Sequence, residues 1–182
     1  MKEKKSGDHS GFRIKKGETD HYPALSKKML KKDVEGYAGA IGKNGVEYLK
    51  WSLHPEEEVA NRASWIFRTW ADKHSDQLPG LFQELYDTIA ASDNGSVIRN
   101  LTGVWVDHAY PSRYDGKITA LGIQLLNTSD YAIAVYANVL GFLKFPCSRY
   151  PELKEEIRLI SQRHPLAGEN GFIKRLQDVM NA

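Results

Sequence analysis

Residues 55–89 read PEEEVANRASWIFRTWADKHSDQLPGLFQELYDTI. Placed at steps of about 100° per residue, Val59, Ala63, Ile66, Phe67 and Trp70 fall on one narrow stripe. The pattern breaks at 73–76 and resumes with Leu78, Leu81, Phe82, Leu85 and Ile89 on a second stripe. The stretch therefore reads as helix, turn, helix, with one apolar face per helix. Two later segments, 93–126 and 128–161, repeat it. Aligning Arg62, Arg99 and Val135 sets the units 37 and 36 residues apart. A two-helix period of that size is the mark of an α-helical repeat, whose units bury their apolar faces on their neighbours.

The second unit carries Val97, Leu101, Val104 and Trp105, then Tyr114, Ile118, Leu121 and Leu125. The third carries Ile133, Ala137 and Leu140, then Tyr150, Leu153, Ile157 and Ile160. Its first helix is apolar nearly all round, yet 131–145 falls short of the roughly 20 apolar residues a membrane span needs. It is expected deep in the core. Upstream, a helix over about 24–41 places Leu30, Val34, Tyr37 and Ile41 on one face, with Lys27, Lys28, Lys31 and Lys32 opposite. A short partner helix carries Val46, Leu49 and Leu53. Downstream, Phe172, Ile173, Leu176, Val179 and Met180 mark a capping helix. No segment alternates with period two for more than a few residues, so no strand is expected.

The expected fold is thus all-α: a right-handed α–α superhelix of about four helix pairs plus a C-terminal capping helix, over residues 24–182. Residues 1–23, rich in Lys, Gly, Asp and Ser, are expected as a mobile basic arm. Charge is uneven. Residues 1–50 hold twelve Lys and Arg against seven Asp and Glu, whereas the whole chain is only +2. The body is mildly acidic, which argues against a dedicated nucleic-acid domain, although a basic arm leaves nucleic acid open. The single Cys147 excludes an internal disulfide, and residues 1–24 lack the apolar core of a secretion signal. A cytoplasmic protein without a membrane anchor is expected.

At the level of motif, Glu58-Val59-Ala60-Asn61-Arg62-Ala63, the Trp-rich helix behind it and Leu78-Pro79-Gly80-Leu81 resemble HEAT or armadillo-like repeats. Asp93-Asn94-Gly95-Ser96-Val97-Ile98-Arg99-Asn100 resembles the same junction again. The resemblance covers about 24–161 and speaks to architecture. It implies that Arg62 and Arg99 tie adjacent units through acidic side chains or carbonyls, with Asp93 and Asp130 as partners. Val135 stands where the third arginine would. It also implies a scaffold that binds a protein or peptide. One HEAT-like group, the alkylpurine DNA glycosylases, uses Trp, Asp and Arg on a basic concave surface. Trp105, Asp107 and Arg99 supply those residue types here, without a diagnostic spacing.

No catalytic constellation, metal-ligand spacing or phosphate loop is present in the sequence, so no catalytic residue, metal or cofactor is expected. The favoured function is a non-catalytic binding module using the groove of the second helices. Its candidate partner-binding residues are Gln83, Glu84, Asp87, Lys117, Gln124, Lys154 and Arg158. Trp51 and Trp65 lie off the apolar stripes. Each either packs between units or anchors a partner.

Overall fold

The structure, a computed structural model, describes residues 8–9 (backbone only), 11–42, 44–108, 110–128 and 130–182. Apart from a two-residue hairpin, β1 (Asp8–His9) with β2 (Phe12–Arg13), the regular elements are helical. The helices are α1 (Tyr22–Leu25), α2 (Lys31–Ala40), α3 (Val46–Trp51), α4 (Glu57–Ala71), α5 (Phe82–Ala91), α6 (Gly95–Asp107), α7 (Asp115–Leu126), α8 (Ile133–Arg149), α9 (Leu153–Arg163) and α10 (Asn170–Met180). The chain forms two compact units, Met1–Leu101 and Thr102–Ala182, and the boundary falls inside α6.

In the first unit α4 is the central helix, packed on α1, α2 and α3. Its stripe of Val59, Ala63, Ile66, Phe67 and Trp70 is buried as the periodicity requires. Trp70 is anchored at its polar end, where Nε1–H donates to the Gly42 carbonyl at 2.7 Å. Gly42 ends α2 in the left-handed conformation (φ +57°), which glycine adopts without steric cost. The indole face lies directly on Gly45, the residue before α3, where any Cβ would overlap the ring. Gly45→Ala is therefore expected to cost about 1–3 kcal/mol through overpacking, read as a lower urea midpoint. Behind α4, Asn100 of α6 donates to Ser64 Oγ at 3.0 Å, and Ser64 donates to the Asn61 carbonyl at 2.9 Å. Arg62 donates to the Leu25 carbonyl at 2.7 Å and pairs with Glu58. It thus joins α4 to α1 through a carbonyl, as one branch of the expectation had it, and not through Asp93.

Two N-terminal expectations are corrected. The helix over 24–41 is broken: the chain leaves α1 at Ser26 and restarts at Leu30, whose backbone is extended. The Asp33 carboxylate accepts the Leu30 N–H at 2.8 Å and so fixes this new start. The buried face of α2 is then Val34 and Ala38, small enough for close approach, while Leu30 and Tyr37 remain 55% and 38% exposed. The second correction is that two short strands form where none was expected; from Phe12 onward the segment lies against α3. The Phe12 ring lies 4.9 Å from Trp51 and 5.0 Å from His54. His21 Nε2 lies 2.8 Å from Glu47 Oε2, and Lys50 pairs with Glu18. Apolar residues and paired charges scattered through a polar segment hold it down without any helical period. Residues 1–7 and Ser10 of that arm lie outside the described residues.

In the second unit α8 packs against α7, α9 and α10. Val135, Tyr136, Val139, Leu140, Phe142 and Leu143 are buried on it. Gly122 lets α7 approach closely, since a Cβ there would stand 2.7 Å from a Leu143 methyl. α8 runs on through Pro146 to Arg149. An internal proline costs a helix about 3 kcal/mol. Burial of Pro146 and Cys147 on the same turn opposes that cost. Burial also raises the Cys147 thiol to about 11.

The α9–α10 connection turns on His164. Its ring stacks on Phe172 at 5.0 Å and meets Tyr136 edge-on at 4.2 Å. Nδ1 accepts the Leu166 N–H at 3.1 Å. Burial holds this histidine below its usual value, with the Thr128 backbone opposing part of the shift. Between the folded value and the ordinary 6.5, the unfolded chain binds more protons. Stability is thus full above 6.5 and falls as pH drops through the folded value. Unfolding midpoints between pH 7.5 and pH 5 are expected to decline, and by less in His164→Phe.

Candidate functional site

A charge pair in the second unit sits at the start of α7. Asp115 is buried there, and Arg149 clamps it with both faces of its fork: Nε donates to Oδ2 at 2.6 Å, and the second contact pairs the terminal nitrogen with Oδ1. A bidentate pair fixes both planes. The guanidinium Cζ also lies 6.0 Å from the centre of the Tyr110 ring. Hydrogen bonding to Asp115 raises Arg149 above the usual arginine value, and burial pushes the Tyr110 phenol up. Each group is thereby held in its ordinary charge state, Arg149 as cation and Tyr110 as neutral phenol.

Beside this pair, α7 and the start of α9 line a cleft of about 630 Å³, within the size range of ligand pockets. The apolar part of its wall is Ala120 and Ile123 from α7 and Leu153 from α9, and Ser112, Asp115 and Glu152 line it as well. Gly116 keeps one end open, having no heavy atom within 4 Å of its Cβ position. Arg113 and Tyr150 stand at the rim, and Tyr150 is 44% exposed. Thr119 lines the cleft too. Its hydroxyl is buried and has no hydrogen-bond partner among the described residues. An unmatched buried hydroxyl costs about 1–3 kcal/mol, a penalty present in the fold.

The residues singled out from sequence lie elsewhere. Gln83, Glu84 and Asp87 are exposed on α5 in the first unit, with Gln83 donating to Asp87 at 2.7 Å. Lys117 and Gln124 are exposed on α7 but do not line the cleft. Lys154 donates to the Met180 and Ala182 carbonyls at 3.2 and 2.6 Å and so holds the end of α10. Arg158 is engaged by Glu155 on its own helix at 2.7 and 2.8 Å. Trp51 is buried under Phe12 and stacked on His54 at 5.5 Å, which removes it as a partner anchor. Trp65 is 36% exposed on α4. Three cleft residues escaped the sequence reading. Tyr150 falls on an apolar stripe in the sequence, Arg113 sits in a turn, and Thr119 is masked by the apolar residues of α7. The available signal is a hydroxyl set among the buried apolar residues of α7.

Trp105 is buried edge-on against Phe142, with ring centres 5.5 Å apart, so its face is closed to a stacking base. Among the described residues, no three His, Cys, Asp or Glu side chains converge as a metal site. No helix among them is long and apolar enough to cross a membrane. No protein-family model matches the chain, nor does any curated protein or solved structure compared with it.

Proposed function

We propose that this protein is a non-catalytic, HEAT-like helical module of the cytoplasm that binds a peptide segment of a partner protein in the α7–α9 cleft. One observation carries the reading: an exposed tyrosine, Tyr150, rims a cleft of about 630 Å³ with a partly apolar wall. Exposed aromatic rings beside desolvated pockets are where binding energy concentrates. The neighbouring charges favour binding over chemistry, because Asp115 and Arg149 saturate each other and offer no poised acid or base. The repeat of helix pairs in the sequence supports the HEAT-like assignment, including its right-handed superhelix.

A peptide-display selection on the full-length protein tests this. Selected peptides are expected to carry one apolar anchor beside a hydrogen-bonding group. Tyr150→Ala and the cleft-filling Ala120→Trp should each weaken them at least about tenfold, some 1.4 kcal/mol. Equal binding by both variants would refute the cleft as the site. Selective recovery of nuclease-sensitive material in pull-downs would favour nucleic acid instead.

A further inference from the structure

The first unit leaves one surface that its own packing does not explain. α2 meets α4 through Val34 and Ala38, yet the α1–α2 segment carries more apolar side chains than those two. Leu30 is 55% exposed and Tyr37 38%, on a helix whose sequence looked able to bury both. Beside them lies a groove of about 510 Å³. Its floor is made of small residues, Ala24, Gly36 and Ala40. No heavy atom lies within 4 Å of where a Cβ at Gly36 would stand, so the floor is open to an incoming backbone. Met29 and Tyr37 form its apolar wall.

The rim is cationic. Lys27, Lys28 and Lys32 line the groove and make no ion pair among the described residues. The one carboxylate in the lining, Asp33, is engaged by the Leu30 N–H. The local field is therefore positive around an apolar floor.

We propose that this α1–α2 groove docks an acidic amphipathic helix of another protein. Charge complementarity selects the occupant: carboxylates answer the three ammonium groups of Lys27, Lys28 and Lys32, which steers encounter and sets orientation. The small floor residues permit the close interaxial approach of two packed helices, about 8 Å. The partner's apolar face would cover Met29 and Tyr37, as in helix-in-groove recognition. A phosphate backbone answers the lysines equally well but leaves that apolar wall uncovered, so the groove favours the peptide. This site is independent of the α7–α9 cleft and lies in the other unit.

The test uses the full-length protein and a fluorescein-labelled synthetic helix of about four turns, some 15 residues, with Leu along one face and Glu on its flanks. Anisotropy should report saturable binding that weakens steeply between about 0.05 and 0.5 M salt. The triple variant Lys27→Glu/Lys28→Glu/Lys32→Glu should weaken it at least about tenfold. Gly36→Leu should abolish it by filling the groove while keeping or raising the unfolding midpoint, since leucine is the better helix former. A scrambled peptide of the same composition should bind more weakly, and Tyr150→Ala should leave binding unchanged. Unaltered affinity in both groove variants would overturn the proposal. So would equal binding of the scrambled peptide, or tighter binding of single-stranded DNA or anionic lipid vesicles that is lost in the same variants.

Discussion

Trp70→Ala is expected to destabilise the protein by about 3–5 kcal/mol, the largest effect of any single substitution considered. Three independent contacts fail together. The indole is fully buried, so its removal opens a cavity at the C-terminal end of α4. Its Nε1–H no longer satisfies the Gly42 carbonyl, the group that holds the α2–α3 turn against α4. Its stacking on His74, 4.8 Å away and nearly parallel, is also lost. Trp70→Phe separates these terms. It keeps most of the volume and loses the hydrogen bond, so it should cost about 1–2 kcal/mol. Urea denaturation followed by circular dichroism compares the two. A loss below about 0.5 kcal/mol for the alanine variant would show that Trp70 is not a core residue.

Arg149→Met should follow, at about 2–4 kcal/mol, because it strands the Asp115 carboxylate, which is only 5% exposed. The upper part of the usual range for broken buried pairs is not reached, since the Arg149 side chain is 36% exposed and solvent already screens the pair. The reverse variant, Asp115→Asn, leaves an arginine that can hydrate at the surface, and it should cost clearly less. That asymmetry distinguishes a buried anion held by a cation from a symmetric surface bridge. Equal losses for the two variants would contradict it. Both changes sit beside the α7–α9 cleft. If the pair shapes that cleft, Arg149→Met should also weaken any peptide selected there, whereas Trp70→Ala, in the other unit, should not at temperatures where it remains folded.

The sequence by itself determined the helices and most of the core. Trp70, Leu101, Val104, Leu121, Leu140 and Ile157 were placed by periodicity alone, and all are buried. The reason is that a period near 3.6 residues fixes which side chains share a face. It does not fix which neighbour, if any, covers that face. α2 illustrates the difference. Leu30, Val34 and Tyr37 share a stripe on paper, but the break before Leu30 resets the helix, and only Val34 with Ala38 meets α4. Trp51 differs in the same way, since what buries it is Phe12, in a segment with no period to read. The candidate cleft was least legible of all. Thr119 and Arg113 come from α7 and the turn before it, Tyr150 from the turn before α9. Only tertiary packing brings these residues to one place and leaves the Thr119 hydroxyl without a partner, because that outcome depends on atoms from segments far apart in the chain.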